Sequence, residues 1–296
     1  MSDHGASGQL ARSLMFVPGH REKMVAKASV LQTLDLAMFD IEDGVPPAEK
    51  DTARSLLEAK LPMLPSPRPR RFVRVNAIAS DRFAKDVAAV VVPGVEGLAL
   101  PKVESPDEVR AAERDVARRE GETGASGLTF IVAIESARGL LRAPEIAAAS
   151  PRVMGLMFGA EDFANDLGLP TDRRGAAREL AQARAQVVFA AASAHVQSYD
   201  GVWPEIADLD GLRRDSIQAR ELGFTGKTLI HPGQIDTINA VFTPSEADVD
   251  LARRVVAAFE EAVRRGEGAI AFGGQLIDLP IVERARRVVA LYEATR

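Results

Sequence analysis

The chain has 296 residues, of which 46% are hydrophobic, a formal net charge of −5 and no cysteine. The acidic balance argues against nonspecific nucleic-acid binding, which needs a basic surface, and the lack of cysteine excludes disulfides and thiolate nucleophiles. No stretch reaches the roughly 18 uninterrupted apolar residues of a membrane span, and the N-terminus lacks the basic and apolar regions of a signal peptide. We therefore expect a soluble, cytoplasmic protein whose partners include neither nucleic acid nor membrane.

Eight short aliphatic or β-branched runs end abruptly in acidic, basic or Gly/Pro residues. In chain order they span residues 14–19, 39–43, 72–76, 98–102, 130–135, 156–162, 196–200 and 228–232. Near-continuous apolar runs are typical of parallel strands that are buried on both faces, and here they alternate with helical patterns. Eight such units predict an α/β fold, a closed (β/α)8 TIM barrel, whose C-terminal strand ends form the active-site face.

Helical spacing of Ala, Leu and Val separates these strands. It predicts helices over residues 20–34, 47–61, 80–92, 105–120, 138–149, 174–194 and 208–222. After the eighth strand, a long amphipathic helix over 245–266, a Gly-rich hairpin and a final helix opened by Pro280 are surplus to a barrel. We expect a catalytic barrel domain over 1–242 and a helix–hairpin–helix extension over 243–296. The extension is interpreted as a lid or a subunit contact, with packing filler as the alternative.

The polar strand ends predict one pocket on the C-terminal face of the barrel. It would contain Glu42, Asp43, Arg74, Lys102, Glu135, Glu161, Asp162 and His231. Glu135 and Asp162 end neighbouring strands, and two carboxylates without Cys or clustered His suit a hard cation such as Mg2+. The alternative is structural, because acidic residues at strand ends also cap helices or pair with Arg and Lys. Metal binding is the favoured interpretation, given where TIM barrels place their active sites.

The basic residues of this pocket each allow two interpretations. Arg74 offers a bidentate fork for a substrate carboxylate, or it forms an ion pair with Glu42 or Glu135. Lys102 could form a Schiff base, but the acids around it favour a charged, paired ammonium. A lone His before Pro is more often a hydrogen-bonded structural residue than a base or ligand, and His231 is interpreted in that way.

Eight motifs, taken together and in order, resemble one enzyme family. They are Arg12–Gly19 (RSLMFVPG), Phe39–Asp43 (FDIED), Arg74–Asn76 (RVN), Pro101–Glu104 (PKVE), Ala133–Gly139 (AIESARG), Gly159–Gly168 (GAEDFANDLG), Gly226–Pro232 (GKTLIHP) and Leu276–Pro280 (LIDLP). From Arg12 to its C-terminus, the chain resembles the citrate lyase beta-subunit and malyl-CoA lyase family. These are CoA-ester lyases of the HpcH/HpaI aldolase superfamily.

The resemblance implies a Mg2+-dependent (β/α)8 enzyme, with Mn2+ as an alternative cofactor, that forms a homotrimer or homohexamer. Members of the family reversibly split 3-hydroxyacyl-CoA esters such as citryl-CoA, malyl-CoA or citramalyl-CoA. The products are an acyl-CoA and a 2-oxoacid, so CoA thioesters and 2-oxoacids are the implied partners.

The resemblance also implies a role for individual residues. The metal ligands fall on Glu135 and Asp162, the acids that order water fall on Glu42 and Asp43, and substrate contacts fall on Phe16, Arg74 and Glu135. The CoA contacts fall on Arg21, Lys27, Ile230 and His231. The motif at Leu276–Pro280 carries an acid that reaches a neighbouring subunit's site, and this acid is Asp278 here. Leu276 stands where Met is usual, a mild change that keeps the aspartate.

Three functions remain open at this stage, and the first is favoured. It is a free-standing CoA-ester lyase acting on a citryl-, malyl- or citramalyl-type thioester. The second is a class II aldolase of 4-hydroxy-2-oxo acids, against which Arg21, Lys27 and the tail with Asp278 argue. The third is a subunit of a citrate lyase complex that acts on an acyl-carrier-bound substrate and is inactive alone. The acyl group stays open, because one methyl more or less depends on the shape of the pocket.

Overall fold

The computed structural model describes residues 10–64, 69–170 and 178–295. Eight parallel strands close a barrel in sequence order, and the first strand is hydrogen-bonded to the eighth. The strands are β1 (Ser13–Pro18), β2 (Leu36–Asp40), β3 (Arg70–Arg74), β4 (Gly97–Leu100), β5 (Thr129–Ile134), β6 (Val153–Phe158), β7 (Gln197–Asp200) and β8 (Gly226–Leu229). Each strand overlaps one of the eight runs of the sequence, so the predicted barrel is confirmed.

Both faces of the barrel strands are buried, which explains why the sequence shows continuous rather than alternating apolar runs. On β2, Leu36 and Met38 belong to the cluster of buried side chains contributed by successive barrel strands. Successive side chains of a strand point to opposite faces, so Ala37 and Phe39 face the surrounding helices, and both are fully buried. The polar residues that follow each strand are therefore left at one end of the barrel.

Helices follow the barrel strands along the chain. They are α1 (Glu22–Ala28), α2 (Lys50–Lys60), α3 (Phe83–Val90), α4 (Pro106–Thr123), α5 (Ala137–Leu141), α6 (Ala143–Ala147), α7 (Ala160–Asp166), α8 (Ala181–Ser193), α9 (Leu209–Leu222) and α10 (Ile235–Phe242). The single helix expected over 138–149 is wrong. The chain leaves helical geometry at Arg142, and Pro144, which has no N–H to donate, sits in the first turn of α6.

Other helices also differ from the expected pattern. Helices α7 and α10 were not predicted, and each spans only about two turns. The helix expected over 20–34 ends at Ala28, and the segment after it forms turns. Part of the helix expected over 174–194 falls on residues 171–177, which lie outside the described residues.

The chain divides into two compact units, one ending at Asn239 and the other beginning at Ala240. The second unit contains α11 (Glu246–Arg264), the hairpin strands β9 (Ile270–Phe272) and β10 (Gln275–Ile277), and α12 (Leu279–Ala294). Its own core includes Val255, Phe259, Ile277 and Val282. The predicted helix–hairpin–helix is therefore confirmed, and its role as a lid or subunit contact stays a prediction. Within the described ranges, no helix is both long and apolar enough to cross a membrane.

Four buried charged residues tie β7 and β8 to the helices beside them. Arg184 of α8 donates from Nε and Nη2 to the two carboxylate oxygens of Asp200, at 2.9 and 2.8 Å. Lys227 of β8 donates to Asp200 and, at 2.6 Å, to Oδ2 of Asp215 on α9. All four residues are at most 7% exposed. Burial favours the neutral acid, but the charges of Lys227 and Arg184 outweigh it and lower the pKa of Asp200.

We expect Asp200→Asn to reduce the free energy of unfolding by about 3 kcal/mol, because it leaves two buried cations facing one carboxylate. The loss should depend on pH. A carboxyl with a lowered folded-state pKa stabilises the fold above its unfolded pKa of about 3.9, and this contribution disappears as the pH falls further. Denaturant titrations should therefore show a difference in stability between the two proteins that is constant from pH 7 to about pH 5 and narrows as the pH falls below about 4. Asp210 is an exposed residue of α9, so Asp210→Asn is the matched control. Equal free energies of unfolding for Asp200→Asn and the wild type at pH 7 would contradict the prediction.

Candidate active site

The C-terminal ends of the neighbouring strands β2 to β6, with the segments that follow them, bring six predicted site residues together. They are Glu42, Asp43, Arg74, Lys102, Glu135 and Asp162. Arg74 is the last residue of β3, and Glu135 directly follows β5. Asp162 lies in the first turn of α7 and not at a strand end as expected, because the helix begins at Ala160. The cluster therefore occupies the C-terminal face of the barrel, where TIM barrels have their active sites.

Glu135 is a buried carboxylate with an unsatisfied oxygen. The residue is 5% exposed, and its Oε2 atom is enclosed without a hydrogen-bond partner. Burial, followed by the negative charge of Asp162, raises the pKa of Glu135 to about 7. The backbone directly after β6 passes close to Glu135, and this approach requires glycine at position 159. A side chain on Gly159 would overlap the Glu135 carboxylate.

The donor set fits a hard divalent cation. A buried carboxylate oxygen without a donor, next to a second carboxylate, is relieved of its electrostatic cost when a cation lies between the two groups. In the part of the chain that the structure describes, no group of three or more His, Cys, Asp or Glu side chains could hold a metal ion. The assignment of Glu135 and Asp162 as metal ligands stays a prediction. Mg2+ commonly takes one or two carboxylates and completes its shell with water and substrate oxygens.

Glu42 and Asp43 share the ammonium group of Lys102. The Lys102 Nζ atom lies 2.7 Å from Oε1 of Glu42, 2.8 Å from Oδ2 of Asp43 and 3.9 Å from Oδ1 of Asp162. Burial raises the pKa of Glu42, whereas the hydrogen bond from Lys102 overcomes burial and lowers the pKa of Asp43. Burial of Lys102 is outweighed by its hydrogen bonds to the same two acids, which raise its pKa. A Schiff-base lysine needs an uncharged amine, so these contacts favour the paired ammonium.

The fork of Arg74 is held by Asp40, a residue that the sequence analysis did not single out. Arg74 donates from Nε and Nη2 to the two oxygens of Asp40, at 2.8 and 2.6 Å, and its Nη1 lies 3.4 Å from Oε2 of Glu42. The guanidinium carbon stands 4.6 Å above the ring of Phe16, a cation–π contact. Burial is outweighed by the hydrogen bonds to Asp40, and the pKa of Arg74 is raised. Strand register is the signal that was missed, because Asp40 and Arg74 are paired positions of β2 and β3.

Asp40 also fixes the loop that carries Glu42. Its carboxylate accepts hydrogen bonds from the backbone N–H groups of Glu42 and Gly44, both at 2.8 Å. Lys50 donates to the backbone carbonyls of Ile41 and Glu42, at 3.2 and 2.8 Å. The acidic loop is therefore held from both sides, which preorganises Glu42.

A cavity of about 540 Å³ opens beside Glu42 and Asp43. Its other walls are built from the segments that follow β2, β3 and β4, and they include Lys50, Ser80 and Arg82. This volume lies within the range of small-molecule sites, so the acid cluster has room for a substrate at its side.

The remaining candidate residues lie elsewhere. Arg21 and Lys27 are exposed at the start and near the end of α1, directly after β1. Ile230 is 39% exposed after β8, and the neighbouring His231 accepts a hydrogen bond at Nδ1 from the Gly233 N–H. Because β1 and β8 are adjacent, these four residues follow neighbouring strands. Their assignment to CoA stays a prediction.

Asp278 belongs to the second unit. It occupies the N-cap position of α12, but its side chain makes no capping hydrogen bond. Ser245, at the start of α11, shows the contrast, because its side chain accepts from the N–H of Asp248 and forms a complete capping box. The carboxylate of Asp278 is thus not used to cap its own helix, and its catalytic role stays a prediction.

Comparisons with known proteins agree along nearly the whole chain. The HpcH/HpaI aldolase/citrate lyase family matches residues 12–232. The chain is 38% identical over 288 residues to the citrate lyase subunit beta of Leuconostoc mesenteroides subsp. cremoris, which covers 97% of this chain and 94% of that protein. It is 36% identical over 284 residues to the (3S)-malyl-CoA thioesterase of Cereibacter sphaeroides (strain ATCC 17029 / ATH 2.4.9), covering 96% and 95%.

Solved structures give the same result. The chain matches CitE from Mycobacterium tuberculosis, determined in complex with magnesium, acetoacetate and coenzyme A, with a TM-score of 0.78 and 31% identity over 96% of this chain and 98% of that chain. A citrate lyase from Burkholderia xenovorans LB400 has a TM-score of 0.84 at 22% identity, covering 97% and 92%, and shows the fold alone. The motif-based identification is confirmed: the chain belongs to the HpcH/HpaI aldolase/citrate lyase family.

Proposed function

We propose that the protein is a Mg2+-dependent carbon–carbon lyase that reversibly cleaves a 3-hydroxyacyl-CoA thioester into an acyl-CoA and a 2-oxoacid. The acyl group would be of the citryl, malyl or citramalyl type. The observation that carries the proposal is the buried Glu135 oxygen without a donor, set beside Asp162 and within the field of Arg74. The solved relative from M. tuberculosis, which holds magnesium and coenzyme A, supports the same cofactor and substrate class.

Glu135, Asp162 and Arg74 would bind the cation and the substrate. Glu135 and Asp162 would hold the cation, which supplies Lewis-acid stabilisation of negative charge on oxygen. Arg74, fixed by Asp40 and stacked on Phe16, would bind the carboxylate of the incipient 2-oxoacid with its remaining N–H groups. These groups would hold the substrate with its C–C bond ready to break.

Two acidic sites would move the protons. As the C–C bond breaks, the hydroxyl group loses its proton, and the rigid pair of Glu42 and Asp43 would accept it through ordered water. The bonding electrons leave with the thioester fragment as an enolate, whose carbon needs a proton. Asp278 would deliver that proton and remove it in the synthetic direction.

Arg74→Lys should reduce kcat/KM by about 30-fold, or about 2 kcal/mol, because lysine keeps the charge but loses the planar fork. A lower melting temperature is also expected, since the bidentate pair with Asp40 is lost. Assays well below the melting temperature of the variant separate the two effects. A folded variant with the kcat/KM of the wild type would show that Arg74 only pairs with the acids around it.

A second candidate function is hydrolysis of the thioester. The C. sphaeroides relative named as a (3S)-malyl-CoA thioesterase is nearly as similar to this chain as the citrate lyase subunits are. A thioesterase would release free CoA and a hydroxy acid, whereas a lyase leaves the thioester bond intact. The two functions are therefore separated by their products.

The test is a screen of the purified chain with Mg2+ against citryl-, malyl-, methylmalyl- and citramalyl-CoA. We expect release of a 2-oxoacid, detected as its phenylhydrazone, without release of a free thiol and with full loss in EDTA. Thiol release without oxoacid would indicate the thioesterase. Turnover of 4-hydroxy-2-oxo acids without CoA would indicate the aldolase, and activity only on an acyl-carrier-bound substrate would indicate the complex subunit.

A further inference from the structure

Lys102 has a backbone conformation that lysine rarely adopts. Its φ angle is 55°, and among the described residues His195 is the only other non-glycine residue with a positive φ. This left-handed region is free of strain for glycine and unfavourable for side chains with a Cβ atom. Such strain persists where the side chain is needed in one place, and it is common at functional sites.

The side chain of Lys102 contacts the acidic residues of the candidate active site. Its ammonium bridges Glu42 and Asp43, from two consecutive positions of the β2 loop, and reaches to 3.9 Å from Asp162. The Lys102 side chain is 38% exposed and that of Asp43 is 53% exposed. The half-exposed ion pair with Asp43 adds little to the stability of the fold, so it does not account for a strained backbone. The contact with Glu42 is different, because the Glu42 side chain is only 5% exposed and its buried charge needs a partner.

Lys102 and Arg74 are the two counterions of the cluster. Four carboxylates meet here, those of Glu42, Asp43, Glu135 and Asp162. Arg74 is bound to Asp40 and reaches Glu42 at 3.4 Å, whereas the Lys102 ammonium lies against Glu42, Asp43 and Asp162. The Lys102 ammonium lies between the pair assigned to proton transfer and the pair assigned to the cation. It acts on both, because it binds the first pair directly and its charge repels a cation at the second.

We propose that Lys102 is a positioning residue, which holds Glu42 and Asp43 in their working geometry and weakens Mg2+ binding through its charge beside Asp162. This inference rests on the proposed function, because it assigns the cation to Glu135 and Asp162. Its consequence is an effect of opposite sign on two measurable quantities. Removal of the ammonium should tighten Mg2+ binding and slow turnover, whereas loss of a merely structural residue would weaken both.

The experiment is calorimetric titration of Mg2+ into the metal-stripped full-length protein, together with kcat and melting temperature. Lys102→Gln should bind Mg2+ about tenfold more tightly, as expected for removal of one nearby positive charge in largely aqueous surroundings. Its kcat should fall by about tenfold or more, because Glu42 and Asp43 lose their common donor. Lys102→Arg should restore the wild-type Mg2+ affinity.

Two further variants complete the design. Lys102→Gly removes the same charge without the left-handed strain, so it gives the answer if the glutamine variant is unstable. Lys85→Gln removes an exposed lysine of α3 and should leave Mg2+ affinity unchanged. Three results would overturn this inference and leave the proposed function standing. The first is unchanged or weaker Mg2+ binding in both Lys102→Gln and Lys102→Gly, and the second is an unchanged kcat in these variants. The third is a Lys102→Arg variant that behaves as Lys102→Gln does. A wild-type protein that does not bind Mg2+ would overturn the inference together with the proposed function.

Discussion

Glu135→Gln is expected to lower kcat by at least about a thousandfold and to remove Mg2+ binding, while the barrel stays folded. Glutamine fills the same space against Gly159, so packing is kept. It cannot supply the anionic oxygen that a hard cation needs. Asp162→Ala should give the same loss, because Glu135 and Asp162 are proposed as the only protein ligands.

The melting temperature gives an independent measurement of the same site. The Glu135 carboxylate is buried beside a like charge, so its neutral replacement should raise the melting temperature of the metal-free protein. Saturating Mg2+ should stabilise the wild type by mass action and should not stabilise either variant. Glu145→Gln, an exposed carboxylate of α6, is the control and should behave as the wild type does. Full activity of either ligand variant, or activity of the wild type in EDTA, would reject the metal site.

The barrel could be predicted from the sequence because its strands are buried on both faces and therefore appear as near-continuous apolar runs. Short or interrupted helices show a weaker hydrophobic pattern. Helices α7 and α10 span only about two turns each, and no helix was predicted for either of them. The break at Arg142 depends on one proline that the surrounding Ala/Leu pattern conceals.

The candidate site shows the same limit in another form. Residue types at strand ends indicated Glu135, Asp162 and Arg74 as candidates, and the motifs identified the family, which the comparisons confirm. The sequence did not indicate that Asp40 holds Arg74, because that contact depends on the register between two strands. The buried pair of Asp200 and Arg184 was missed for the same reason: its members are ordinary charged residues until the fold removes them from water.

Asp278 is the predicted site residue whose proposed role depends most on assembly. It lies in the second unit, at the junction between β10 and α12, and the family resemblance implies that it completes the site of a neighbouring subunit. Asp278→Ala should therefore give well-folded oligomers with negligible lyase activity and near-normal Mg2+ affinity. Its side chain makes no capping hydrogen bond, so the melting temperature should change little. Ser245→Ala is the matched control, since loss of a working cap in the same unit should cost about 1 kcal/mol of stability and leave activity intact.

Subunit mixing decides whether Asp278 acts across a subunit boundary. Asp278→Ala and Asp162→Ala are each expected to be inactive, one lacking the proton donor and the other lacking a metal ligand. A hybrid oligomer would pair the intact metal ligands of one chain with the intact Asp278 of its neighbour, so part of the activity should return after subunit exchange. Exchange is verified by native mass spectrometry of differently tagged chains, and unmixed variants carried through the same treatment provide the baseline. Verified hybrids without recovery, or a wild-type monomer with full activity, would show that Asp278 does not act in a neighbouring site.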